Sequence, residues 1–176
     1  FDADLLALLV PDTDPFNRWQ SAQTVAMRAL VRMSRDGAAR DPAVDTLAEA
    51  LRRFLAAEAG RDPAFAAVVL TLPSEAEIAQ EIGRDVDPDT VRSAWLALRR
   101  AVGTALGDDL VAVRDRLGDP PGYAPDAASA GRRALRNVAL HLLSLGDSRR
   151  GEVEAAAQFA AAGNMTDRLA ALSALA

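Results

Sequence analysis

The sequence predicts an all-α chain built from antiparallel helical hairpins, and three observations predict it. Alanine dominates the 176 residues, half of which are apolar and only 5% aromatic. Alanine is the strongest helix former and lets helices approach each other closely. Asp-Pro recurs at Asp14-Pro15, Asp41-Pro42, Asp62-Pro63 and Asp87-Pro88. Each reads as an N-cap carboxylate followed by proline at the first helical position, where its missing N–H leaves nothing unpaired. β-Branched residues are scattered, with no alternating Val/Ile/Thr run that would read as a strand.

A short helix is expected over 2–9. Asp14-Pro15 opens the next, over 15–35, with Trp19, Ala22, Ala26, Leu30 and Met33 along one face. Asp41-Pro42 opens 42–59, whose stripe is Val44, Leu47, Leu51, Phe54 and Leu55. Asp62-Pro63 opens 63–72. After Pro73, Ser74 and Glu77 form a capping box for 75–83. Asp87-Pro88 opens the longest helix, 88–117, with Val91, Trp95, Leu98, Val102, Leu106, Val113 and Leu117 at helical spacing. Gly103 and Gly107 lie four apart inside it and read as a close helix crossing, since each otherwise costs about 1 kcal/mol against alanine.

The longest break runs from Gly118 to Pro125. Beyond it come 126–145, with Ala134, Leu135, Val138, Leu142 and Leu145 on one stripe, then 149–162, then 165–176, which Asn164 and Asp167 cap. Gly60, Gly146 and Gly163 are expected as left-handed helix stops. Short loops between successive helices predict hairpins stacked side by side, with a compact irregular bundle as the competing architecture.

The last helix carries an apolar face (Met165, Leu169, Leu172, Ala176) and no stop signal after Arg168, and Phe1 is not an initiator methionine. The expectation is one helical-repeat domain over 1–176, a piece of a larger domain cut at its C-terminal end. Self-association through that open face is an expected liability.

The balance of charge excludes several function classes. The net charge is −5 and all twenty basic residues are arginine, with no basic stripe to neutralise phosphates, so nucleic acid is not an expected partner. Arginine-only, alanine-rich usage reads as the coding bias of a GC-rich bacterial genome. The absence of cysteine excludes disulfides and thiolate zinc sites. No apolar run reaches the roughly 18–20 residues of a membrane span. Asp2 and Asp4 interrupt the first apolar stretch, so it does not read as a signal peptide. The expected setting is the cytoplasm.

Catalytic groups are hard to find. His141 is the lone histidine, so an H-E-x-x-H zinc site cannot be built, and it borders an apolar stripe as a partly buried or surface residue would. No G-x-S-x-G is present, and the cap explains Ser74. The pairs Asp108-Asp109 and Glu75/Glu77 lie where helix starts and solvated faces favour negative charge. Arg132, Arg133 and Arg136 precede Asn137 on one helix. Arg133 and Asn137, four apart, read as an inter-helix brace onto a carbonyl or carboxylate. Arg18-Trp19 reads as an anchor with cation–π stacking. No catalytic, cofactor-binding or metal-ligating residue is assigned.

Four strings go beyond a generic helical domain. They are Asp14-Pro-Phe-Asn-Arg-Trp-Gln-Ser-Ala-Gln23, Asp62-Pro-Ala-Phe-Ala-Ala-Val-Val-Leu-Thr-Leu-Pro-Ser-Glu75, Arg132-Arg-Ala-Leu-Arg-Asn137 and Gln158-Phe-Ala-Ala-Ala-Gly-Asn-Met-Thr-Asp-Arg-Leu-Ala-Ala-Leu-Ser-Ala174. In this order the chain resembles the earlier part of the C-terminal helical domain of bacterial aminopeptidase N, a family of zinc-dependent alanyl aminopeptidases. The resemblance implies an armadillo/HEAT-like α-solenoid that packs on a separate catalytic domain and walls a chamber admitting short peptides. It implies zinc in that other domain and none here. The expected partners are the parent's catalytic domain, its remaining C-terminal helices and short peptides. A stand-alone helical-repeat interaction module is the alternative.

Overall fold

The computed structural model describes residues 2–118 and 123–176, so 119–122 of the expected Gly118–Pro125 break lie outside the described residues. The described residues form nine helices and no strand. They are α1 (Asp2–Ala7), α2 (Pro15–Asp36), α3 (Pro42–Glu58), α4 (Pro63–Leu70), α5 (Glu75–Ile82), α6 (Pro88–Arg116), α7 (Ala127–Gly146), α8 (Ser148–Ala161) and α9 (Met165–Leu175). All nine expected helices are present, most bounds within a residue or two.

The caps explain this agreement. Asp14, Asp41, Asp62 and Asp87 each accept a backbone N–H of the first turn through the side chain, with proline just inside. Each satisfies donors that the helix cannot satisfy itself. Ser74 accepts from Glu77 N, while the Glu77 carboxylate accepts from Ser74 N at 2.7 Å. That hydrogen bond holds the Glu77 carboxyl below its ordinary value.

The helices stack in succession as an α-solenoid. α2 and α3 both pack on α6, α6 pairs with α7, and α7 contacts α4 on one side and the α8–α9 pair on the other. The core runs through Leu30, Leu47, Phe54, Leu98, Leu106 and Leu110, all fully buried. Each such side chain contributes roughly 1.5–3 kcal/mol of burial free energy. A second, smaller cluster of Leu140, Ala155 and Ala171 joins α7, α8 and α9. Its small residues place those helices close together but bury little apolar surface, so polar contacts matter more there.

Glycine supplies the close approaches. At the α6–α7 crossing, a Cβ on Gly103 would overlap the Leu142 carbonyl oxygen and lie 3.0 Å from Gly146 N. A Cβ on Gly146 would overlap Gly103 and Thr104 backbone, and one on Gly151 would lie 2.7 Å from Ser144 Cβ. The expected crossing is therefore real at Gly103, whereas Gly107 faces open space. The expected left-handed stops are corrected. Gly60 and Gly163 do not have positive φ, and Gly146 ends α7 as a packing residue. Among the described glycines, positive φ belongs instead to Gly37, at +62° after α2, and Gly83, at +81° after α5. A glycine past a helix can serve as a left-handed cap or as a contact surface, and sequence spacing does not separate the two uses.

Candidate functional site

Most of the polar residues singled out in the sequence are tied into the fold. Arg18 is buried; its Nε donates to the Leu9 carbonyl at 2.8 Å and it pairs with buried Glu58 at 3.5 Å. Its guanidinium lies 5.1 Å from the centroids of both Phe54 and Phe65. The expected anchor is present, but the stacking partners come from α3 and α4, and Trp19 packs on Phe16 instead.

The Leu-Thr-Leu-Pro string between α4 and α5 is tied from two sides. Arg99, 6% exposed, donates from Nη2 to the Leu72 and Pro73 carbonyls at 2.8 and 2.9 Å. Gln23 Nε2 donates to the Thr71 carbonyl at 3.0 Å. The Arg99 guanidinium lies 3.9 Å from the Trp95 ring centroid. Burial lowers its pKa to about 10, so it stays cationic at neutral pH. Its Nη1 is buried without a partner.

Asn-Met-Thr-Asp is the hub of a second network. Asn164 caps α9 by accepting from Asp167 N at 2.9 Å, and Asn164 Nδ2 donates to the Asp167 carboxylate at 2.8 Å. Asn137 Nδ2 donates to the other Asp167 oxygen at 2.9 Å. Gln158 Nε2 donates to Asn137 Oδ1 and to the Asp167 carbonyl. Buried Arg114 donates to Gln158 Oε1 and the Arg136 carbonyl at 3.0 Å each, and pairs with Glu154 at 3.2 Å. Four helices thus meet through one chain of hydrogen bonds, with Asp167 only 2% exposed. Such networks are strong when complete and costly when broken.

The expected brace is present in two halves. Arg133 donates to the Ala124 carbonyl at 2.8 Å and stacks on Tyr123, while Asn137 reaches Asp167. Arg132 donates to Ser129 Oγ at 2.7 Å. Sequence spacing does not pair Arg114 with Gln158, since they lie 44 residues apart on helices whose register only the fold sets.

No constellation for chemistry is assembled. His141 is half-buried with its ring 6.0 Å from Trp95, and burial, together with the Arg99 charge, lowers its pKa. Among the described residues no group of three His, Cys, Asp or Glu could hold a metal ion, and a cation beside Arg99 would be repelled. These residues do not fit zinc. Glu75 pairs with Arg92, Glu77 is the capping carboxylate and Asp108 pairs with Arg150. Among the described residues, no helix is long and apolar enough to cross a membrane.

One broad concavity is apolar. A groove of about 960 Å³ runs between α4, α7 and α9, and it is lined in part by Val68, Ala130, Ala134, Met165 and Leu169. A smaller cleft of about 410 Å³ lies among Tyr123, Arg133, Asn164 and Asp167, residues already engaged above.

Comparison with known proteins bears out the resemblance read from the four strings. The chain is 36% identical over 170 residues to aminopeptidase N of Caulobacter vibrioides, covering 97% of this chain and 19% of that protein. It is 34% identical over 175 residues to aminopeptidase N of Escherichia coli, covering 98% and 20%. The chain therefore spans about a fifth of the length of the curated relatives it matches. In fold it is similar to the crystal structure of Legionella pneumophila aminopeptidase A in complex with aspartic acid, with a TM-score of 0.79 at 24% identity, covering 99% of this chain and 21% of that one. A family model described as a domain of unknown function (DUF3458_C), ARM repeats, matches residues 2–176, and the chain belongs to that family.

Proposed function

We propose that the chain is a non-catalytic helical segment of a zinc-dependent aminopeptidase that removes N-terminal residues from peptides, working in the cytoplasm. Residues 1–176 form one helical-repeat unit within a larger C-terminal domain. The unit packs on the catalytic domain and helps wall the chamber that short peptides enter. Zinc and the reacting groups belong to the rest of the polypeptide.

One observation carries this reading. Polar residues of the four strings that mark the resemblance (Arg18, Ser74, Arg133 and Asn137, Asn164 and Asp167) are engaged in anchoring backbone, capping helices or joining helices. Side chains committed in this way position a scaffold and leave substrate chemistry to other parts. The aminopeptidase relatives are about five times as long, which leaves room for those parts.

The test uses the longer polypeptide and alanyl peptides of increasing length. Chelator-sensitive turnover that declines with peptide length is expected of a walled zinc site. A flat length profile would remove the wall, and absence of chelator-sensitive turnover would remove the peptidase.

A further inference from the structure

Among the described residues four arginines are buried, Arg18, Arg99, Arg114 and Arg133. The first three are accounted for inside the fold. Arg18 pairs with Glu58 and Arg114 with Glu154. Arg99 holds the Leu72 and Pro73 carbonyls, and its buried Nη1 is sealed from any ligand. Arg133 differs. It is 8% exposed, its Nη1 donates to the Ala124 carbonyl at 2.8 Å, and its guanidinium lies 4.9 Å from the Tyr123 ring centroid. A guanidinium carries five N–H groups, and the Ala124 bond uses one. Among the described residues no carboxylate pairs with Arg133, and none of its nitrogens is both sealed and unpartnered. The Asp167 carboxylate is taken by the Asn137 and Asn164 amides instead.

The remaining Arg133 donors open into the cleft of about 410 Å³ that Tyr123, Arg136, Ala161, Asn164 and Asp167 help to line. That volume is in the range of small-molecule sites. A buried cation without a counter-charge is costly, and an anion entering the cleft recovers part of that cost.

We propose that this cleft is a binding site for the α-carboxylate of an amino acid or short peptide, held by the Arg133 guanidinium. The planar fork of arginine matches a carboxylate through two parallel hydrogen bonds. The Tyr123 ring and the Ala124 carbonyl already fix the guanidinium, so little freedom is lost on binding. Arg136 adds a second positive charge to the lining, while Asp167 opposes a dianion about twice as strongly as a monoanion. A carboxylate therefore suits the cleft better than phosphate. The site binds and does not react. The choice of amino-acid carboxylates rests on the reading of the chain as part of an aminopeptidase, which consumes peptides and releases amino acids.

Calorimetric titration of the 176-residue chain with N-acetylalanine and N-acetylalaninamide isolates the carboxylate, since the two ligands differ in it alone. N-acetylalanine is expected to bind saturably and one-to-one. The amide is expected to bind at least about tenfold more weakly, as the loss of a hydrogen-bonded charge implies. Arg133→Gln is expected to weaken N-acetylalanine by at least the same factor, whereas Arg100→Gln, on α6 outside the cleft, leaves it unchanged. Inorganic phosphate is expected to bind more weakly than N-acetylalanine. Free alanine and dialanine, titrated in parallel, name the source: the tighter of the two identifies an amino acid or a peptide end.

Equal affinity for acid and amide, no saturable binding of the acid, or phosphate as the tighter ligand would overturn the proposal. Full affinity in a folded Arg133→Gln chain would overturn it as well. If that variant loses its helical circular dichroism, the comparison of acid with amide in the parent chain still decides. The readout needs no peptidase activity, so failure here and failure of the aminopeptidase reading are distinguishable.

Discussion

The α6–α7 crossing makes a prediction whose sign reverses within one helical turn. Gly103→Ala places a methyl group against the Leu142 carbonyl, with Gly146 N and Leu142 C at 3.0 Å. These neighbours are backbone and cannot rotate away, whereas unstrained carbon contacts lie near 3.5–4.0 Å. α6 and α7 must separate, at the upper end of the usual overpacking cost, about 3 kcal/mol. Alanine returns about 1 kcal/mol of helix propensity, so the net loss is about 2 kcal/mol. For a chain of this size that lowers Tm by about 4–8 °C. Gly107→Ala sits one turn further on the same helix with nothing within 4 Å. It keeps the propensity gain alone, about 0.5–1 kcal/mol of added stability. Urea and thermal unfolding of both variants beside the parent chain give the comparison. Two shifts of the same sign would refute the crossing geometry.

Three further outcomes are expected. Asp167→Ala leaves Asn137 and Asn164 without their carboxylate acceptor and costs about 3 kcal/mol; hydrogen exchange should show α9 opening well before α2 and α3. Arg99→Leu frees the Leu72 and Pro73 carbonyls and costs about 2–3 kcal/mol in urea unfolding. Arg99→Lys should recover only part, because an ammonium does not reproduce the planar stack on Trp95. The pKa of His141 is lower in the folded state, so as pH falls below about 6.5 the unfolded chain takes the proton first and stability declines. His141→Asn should flatten the urea midpoint between pH 7.5 and pH 5.5; a slope unchanged by the substitution would remove the burial argument.

Much of this architecture is legible in the sequence because its signals are local. An Asp-Pro pair or a Ser-x-x-Glu box fixes a helix start within four residues, and the structure shows those caps closed at Asp14, Asp41, Asp62, Asp87 and Ser74. What depends on register between distant helices is much less legible. Arg114 gives no sign that it will meet Gln158, nor Arg99 that it will grip Leu72 and Pro73. The Arg18-Trp19 pair reads as an anchor with cation–π stacking, but the fold alone shows that the rings over Arg18 are Phe54 and Phe65. Gly146 reads as a stop because a contact glycine and a capping glycine look alike until the neighbouring helix is placed.

The division of labour comes down to whether any zinc chemistry resides in these 176 residues. The direct measurement is zinc stoichiometry and alanyl-amide turnover of the purified chain, with its helical folding verified by circular dichroism. The account predicts no stoichiometric zinc and no turnover above background. Stoichiometric zinc with chelator-sensitive hydrolysis by the pure chain would contradict it.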